Sequence, residues 1–501
     1  MHKSLAELKG RVAEISDLRA ATAVLSWDQM TLMPPGGAAA RARQMATLER
    51  LAHGKAIDPA LGKLLAKLQP LADRLPEASA DASLIRIATR DYERESKIPS
   101  SFTAALAEHV SHTYERWARA RSEGNFKIVE PLLAKTLDFS RQLANFYPGY
   151  GHIADPLIDA LDEGLKVSAI RPLFGELRRE LVPLVQRITG FPPADDSCLK
   201  QRFAEAEQWQ FGLRVAKALG YDFARGRQDK SPHPFTTSFS IQDVRITTRI
   251  KEDDLAEALF STIHETGHAL YEQGINPGFE ATPLAAGTSM GIHESQSRLW
   301  ENMVGKSRPF WEYFFPELQK AFPAQLGRVS LATFYRAINK VQRSLIRTDA
   351  DEVTYNLHVM IRFDLELALL EGKLAVADLP EAWNERYRAD LGLTPPDPAV
   401  GVLQDMHWYS GTIGGYFQSY TIGNVLSAQF YEAALAAHPE IPRELAAGRL
   451  GTLQRWLREN IYQYGRKLPG MELVQRVTGK PMTTDPYIRY LKKKYGGLYY
   501  Y

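Results

Sequence analysis

The chain has 501 residues, 45% of them hydrophobic and 24% charged, a composition that suits a large globular core and excludes a disordered or fibrous chain. Lys and Arg (61) nearly balance Asp and Glu (59), and the formal net charge of +2 gives no overall field for nucleic acid or a membrane surface. The single cysteine, Cys198, cannot form an intrachain disulfide, so nothing marks an oxidising compartment.

At the N-terminus, "SLAELKGRVAEISDLRAATAVLSW" carries Leu5, Leu8, Val12, Ile15 and Leu18 at three-and-four spacing, which predicts an amphipathic helix. Charges recur through it, so it has no signal-peptide apolar core. The chain has no run of 18 apolar residues, and the expectation is a soluble, cytoplasmic protein. Helical patterns fill most of the remainder. Breakers punctuate them: "MPPGG" at 33, "FPPADD" at 191, "SPHPF" at 231 and "TPPDPAVG" at 394. There are no repeats. Between 235 and 250, Val244, Ile246, Thr248 and Ile250 alternate with Arg245, Thr247 and Arg249, a period of two that predicts a small antiparallel sheet.

A helix follows directly in "EDDLAEALFSTIHETGHALYEQG", with Asp253 or Asp254 as N-cap and Gly274 fitting the position just past its end. It places His264 and His268 four apart on one face, where both imidazoles can reach one ion. Glu265 lies about 100° round the helix, within reach of a metal-bound water without taking a ligand position. In a chain with 12 histidines this pattern arises by chance in roughly one sequence in fifty. The bland alternative is a solvated helix face, which the small residues Thr266, Gly267 and Ala269 argue against. A catalytic zinc wants a third protein ligand. Glu272 is eight residues from His264, about 12 Å of rise and roughly 80° of rotation, too far to share the ion. The third ligand is expected on another helix, in "GTSMGIHESQSRLWENMVG" (287–305), whose Ile292, Leu299, Trp300 and Met303 predict a buried stripe. His293 and Glu294 both qualify, and residue chemistry alone does not separate them. Further on, "TFYRAINKVQRSLIRTDADEVTYNLHVMIRFDLELALLEG" (333–372) reads as one long helical pattern, and the tail "LKKKYGGLYYY" as a frayed helix end.

In order along the chain, "HPF" at 233, "DVRIT" at 243, "HETGH" at 264, "HESQ" at 293, "IRTDAD" at 346 and "GVLQDMHW" at 401 resemble the carboxypeptidase Taq family of zinc metallocarboxypeptidases. The early "LSWDQMTLMPPGGAAARARQMATL" is similar to that family's N-terminal region, so the resemblance spans nearly the whole chain. It implies a mainly α, zincin-like fold with a deep active-site groove and the small sheet beside the metal helix. It implies a single domain over residues 1–501 made of two helical lobes, often as a homodimer. It implies release of single residues from peptide C-termini. By the same resemblance His264, His268 and Glu294 hold one zinc ion, Glu265 is general base and then acid, and Arg347 binds the terminal carboxylate. The motifs at 233, 243 and 401 would close the groove, which makes His233 and Arg245 candidate substrate residues.

For the oxyanion, Tyr420 in "GGYFQSYTIGN" is the first candidate donor and His407 the second, although both sit among aromatic residues that suit core packing. Arg347 suits a carboxylate bidentately, or it pairs structurally with Asp349 or Asp351. Arg245 faces a groove or pairs with Asp243. Cobalt or manganese could replace zinc in such a donor set. Two other functions remain open: an oligopeptide endopeptidase with the same metal site, and a non-catalytic peptide- or metal-binding scaffold, against which Glu265 argues.

Overall fold

The computed structural model describes residues 2–76 and 79–499. The fold is mainly helical with one small three-stranded sheet. Its residues cluster into two compact units, one formed by 1–96, 196–338 and 430–480, the other by 97–195, 339–429 and 481–501. Among the described residues no helix is long and apolar enough to cross a membrane.

The first unit opens with α1 (His2–Thr31), which buries Leu8, Val12 and Ile15, and it also contains α2 (Ala80–Ser96). Its sheet comprises β1 (Gln228–Lys230), β2 (Thr236–Ser240) and β3 (Asp243–Thr248), in the order β1-β3-β2. The β2–β3 pair is antiparallel as the alternation predicts, but β1 joins β3 in parallel, so the sheet is mixed. Three residues are too few for periodicity to reveal a strand, and this one was invisible in the sequence. The inward residues of β3, Val244 and Ile246, are fully buried in a cluster with Ala216, Tyr221 and Ala269.

Ala269 belongs to α3 (Leu255–Gly274), so the sheet lies on the helix that carries both histidines. Asp254 caps α3 by accepting a hydrogen bond from the Ala256 amide at 3.0 Å. Gly274 is the last helical residue rather than the one beyond it. A side chain there would meet the Tyr462 ring, with Cβ 2.6 Å from the nearest ring atom. Helix α4 (Met290–Arg298) is capped by Ser289 and continues through Leu299–Gly305 as a π-helical turn. Ile292, Leu299, Trp300 and Met303 are buried, as their spacing predicts.

Gly267 faces α4. A Cβ on it would lie 2.7 Å from both the Gln296 carbonyl oxygen and the Ser297 Cα. Only a residue without a side chain lets the two backbones come this close.

The predicted helix over 333–372 is two helices. One ends at Ile338, in the first unit, and α5 (Tyr355–Leu370) begins 17 residues later, in the second. The Asp351 carboxylate ties down the segment between them. It accepts from the amides of Gln342, Val353 and Thr354 and from the Thr354 hydroxyl at 2.8–3.1 Å, holding an irregular loop that contains Arg347. The tail is not frayed over its described part. Helix α6 (Asp485–Tyr499) runs through it with Tyr495, Leu498 and Tyr499 buried, while residues 500 and 501 lie outside the described residues. Tyr499 accepts from the Val341 amide at 2.9 Å and Tyr495 donates to Glu352 at 2.8 Å, so α6 braces the same loop.

Replacing Gly267 with Ala should lower unfolding free energy by about 1–3 kcal/mol, because backbone atoms of α4 must move to admit the methyl group. Denaturant unfolding measures this, and a change below about 0.5 kcal/mol would mean that the close approach has slack.

Candidate active site

In the first unit, the structure brings His264 and His268 of α3 together with Glu294 of α4. One donor atom from each lies within 4.8 Å of the other two. Glu294 Oε2 is 3.7 Å from His264 Nε2 and 3.4 Å from His268 Nε2. Two imidazole nitrogens and one carboxylate oxygen, all aimed at a common point, fit a single divalent cation with a coordination position left open.

The opposite edges of both rings are held. His264 Nδ1 lies 2.9 Å from Glu301 Oε2. Glu301 is in turn held by Arg298 at 3.0 Å and Lys306 at 2.7 Å. His268 Nδ1 lies 2.6 Å from His293 Nδ1, and His293 Nε2 is 2.8 Å from Glu272 Oε1. His293 therefore supports His268 from behind instead of joining the three donors, and Glu272, too distant to ligate, anchors His293. The Glu294 carboxylate is fixed from its own helix by Arg298 Nε at 2.7 Å and the Ser297 hydroxyl at 3.0 Å. Sequence reasoning missed the role of Glu301, because its direction depends on the π-helical turn and not on regular α-helical spacing.

Burial sets the protonation of this group. It pushes the His268 imidazole down to about 3, leaving a neutral ring suited to ligation. At His264 burial acts the same way, but the carboxylates of Glu294 and Glu301 outweigh it and raise the pKa above the usual histidine range. Burial also disfavours the charged form of Glu294, yet Arg298 and His264 hold this carboxyl well below its ordinary range. Glu265 is buried beside the donors, and desolvation raises its pKa. Thr236 of β2 donates to Glu265 Oε2 at 2.7 Å, a contact with no sequence signal beyond the strand's position just ahead of the helix.

His233 is exposed, just before β2. Arg245 forks onto Asp243 with two 2.8 Å hydrogen bonds, and its guanidinium lies over the rings of Trp27 (4.4 Å) and Phe239 (4.9 Å). Of the two readings left open for it, the structure supplies the Asp243 pair.

The second unit gathers Arg347, His407 and Tyr420. Arg347 is buried, and its partner is neither Asp349 nor Asp351 but Asp405, reached by Nη2 at 2.7 Å and Nε at 3.0 Å. Its Nη1 donates to the Tyr355 hydroxyl at 3.1 Å, and its plane lies 5.4 Å from the Tyr420 ring centre. The fully buried Arg362 also binds Asp405. Burial opposes the Asp405 charge, but the two guanidinium groups hold it well below the usual carboxylate range. The Tyr420 hydroxyl is 3.4 Å from His407 Nε2, and burial raises the tyrosine pKa well above its ordinary value, so it stays protonated. Asp405 stood in plain view in "GVLQDMHW", but its pairing across 58 residues had no local signal.

Residues 7–495 match the model of the carboxypeptidase Taq (M32) metallopeptidase family. The chain is 40% identical to thermostable carboxypeptidase 1 of Thermus thermophilus, with 99% of each chain covered. It is 35% identical to carboxypeptidase 1 of Bacillus subtilis, covering 99% of this chain and 98% of the other. The crystal structure of the M32 carboxypeptidase from Deinococcus radiodurans R1 superposes with a TM-score of 0.97 at 47% identity over 100% of both chains. The chain belongs to the carboxypeptidase Taq family of metallopeptidases and is a metallocarboxypeptidase acting on peptides.

Removing the outer supports should cost metal affinity. Glu301→Gln and His293→Phe are each expected to weaken metal binding by about 10- to 100-fold, measured by competition with a chelator. Unchanged affinity in both would show that the rings need no support.

Proposed function

We propose that this enzyme removes single residues from the C-termini of peptides with one zinc ion held by His264, His268 and Glu294, and with Glu265 as general base and then general acid. The observation that carries the proposal is the convergence of three fixed donor atoms beside a fourth, buried carboxylate that is not one of them. A purely structural metal site has no use for that extra carboxylate.

Zinc held by His264, His268 and Glu294 would lower the pKa of a bound water and polarise the scissile carbonyl. Cobalt or manganese would suit the same donors. Glu265 takes a proton from the attacking water at its carboxylate and delivers it to the departing amine. Thr236 holds Oε2 of that carboxylate, which fixes the direction in which the proton moves. Desolvation raises the Glu265 pKa, which makes it a stronger base than an exposed glutamate and a competent acid later.

Exopeptidase action needs a receptor for a free carboxylate, and we assign it to Arg347. A guanidinium has five N–H donors. Asp405 takes one from Nε and one from Nη2, and Tyr355 takes one from Nη1. Two N–H groups have no partner among the described residues, one on each terminal nitrogen, which matches the two oxygens of a carboxylate. Tyr420 and His407 are assigned as donors to the oxyanion of the tetrahedral intermediate, and the protonated state of Tyr420 suits that role.

Glu265→Gln should retain metal and lose activity by at least about 100-fold in kcat, since general base catalysis contributes about that much or more. Turnover close to wild type in metal-loaded protein would remove Glu265 from the chemistry. Peptides with an amidated C-terminus separate the exopeptidase from an endopeptidase. Mass spectrometry should show a ladder shortened from the free C-terminus, lost on chelation and absent for the amide. Internal cuts in the amide would overturn the assignment of Arg347.

A further inference from the structure

We propose that a cavity in the first unit, lined by α1, α2, β2 and the loop after α3, receives the part of the peptide upstream of the scissile bond and selects for positive charge there. The proposal rests on the carboxypeptidase mechanism above and adds a substrate preference to it. The cavity has a volume of about 500 Å³. This lies within the range of small-molecule sites.

Its position ties it to the chemistry. Thr236, which holds Glu265, forms part of its wall, and so do His293 and Glu272, which support His268. A ligand in the cavity therefore sits against the supports of the catalytic centre.

Its charge is one-sided. Five carboxylates line it, from Asp17, Asp91, Glu95, Glu272 and Glu280, against the guanidinium groups of Arg19 and Arg466. Both guanidinium groups are already committed. Arg19 forks onto Glu95 at 2.7 and 2.9 Å, and Arg466 forks onto Asp91 at 2.9 and 3.0 Å. Asp17 and Glu280 have no cationic partner among the described residues, and Glu272 has only the His293 imidazole. Glu272 is buried, and its Oε1 accepts from His293 and from the Gly287 amide. Its other oxygen makes no hydrogen bond among the described residues. Glu280 spends one oxygen on the Ile241 amide. Asp17 is exposed and has no ion-pair partner among the described residues. Between these acids the walls are mixed, with apolar Val12, Ile15, Ala20 and Phe239 beside the hydroxyls of Ser16 and Ser238.

A terminal carboxylate is repelled from such a site. A carboxypeptidase leaves only one residue beyond the scissile bond, and we assign the cavity to the chain upstream of that bond; a preference confined to the C-terminal side chain is the outcome that separates the two. The apolar patches beside these carboxylates suit an aliphatic stem ending in a cation. The recognised chemistry is thus an ammonium or guanidinium, from a Lys or Arg side chain or from the free α-amino group of a short peptide.

The test uses full-length, metal-loaded enzyme and acetylated peptides with a constant neutral C-terminal residue. Lys, norleucine or Glu is placed in turn at each of the three preceding positions. At one position Lys should exceed Glu in kcat/KM by about five- to tenfold at low ionic strength, chiefly through KM, and the gap should shrink in about 0.5 M salt. Asp17→Asn and Glu280→Gln, singly and together, should move that ratio towards one. Neutral peptides with and without the acetyl group separate the α-amino group from a side chain as the source of the cation. Equal rates for Lys and Glu at every upstream position would overturn the proposal, as would a preference confined to the C-terminal residue or one unmoved by the variants. If even the neutral peptide is not cut, the carboxypeptidase mechanism fails. Calorimetric binding of the same peptides to metal-loaded Glu265→Gln enzyme then decides: tighter Lys binding keeps the cavity assignment, and equal affinities sink it.

Discussion

The packing of α3 against α4 at Gly267 is the contact on which the candidate metal centre depends. Two donors stand on one helix and the third on the other, so the distance between the helices sets the distance between the donors. With a bare Cα at the crossing, the backbone of Gln296 and Ser297 comes within the space a methyl group would fill. That brings Glu294 Oε2 to within 3.7 Å of both imidazoles. Wider helix spacing would leave two histidines and a distant carboxylate, a far weaker chelate.

The same crossing organises what lies behind the donors. The π-helical turn after α4 swings Glu301 to His264, and the start of α4 delivers His293 to His268. The two histidines therefore have unlike supports. One faces an anchored carboxylate, the other a second imidazole that is itself tied to Glu272. A carboxylate behind a ligating imidazole raises its basicity more than a neutral ring does. The two donor nitrogens of α3 are thus chemically unequal although their spacing in sequence is symmetrical.

Much of this centre was legible in the sequence because it is local. His264, Glu265 and His268 share one helix, and helical geometry alone ruled out Glu272. Between His293 and Glu294, adjacent residues of equal chemical merit, only the direction of side chains on α4 separates donor from support. The alternation at 243–250 gave the β2–β3 pair, while β1 was too short to show a period. The segment 333–372 misled because its apolar spacing is continuous through the loop. The loop between the helices is held by one carboxylate with four donors, written in the sequence only as Asp351 and the Thr354 that follows it. The Arg347–Asp405 pair is separated by 58 positions and had no local pattern to betray it.

The bracing of that loop by α6 has a practical consequence. Tyr499 and Tyr495 hold the segment from Val341 to Glu352, in the middle of which stands Arg347. The last helical turn is therefore part of the scaffold for the guanidinium and not a neutral handle. A label or substitution at Tyr495 or Tyr499 would be felt in that loop, 143 and 158 positions away along the chain. For immobilisation or labelling, exposed positions on the surface of the helical units are the better attachment points.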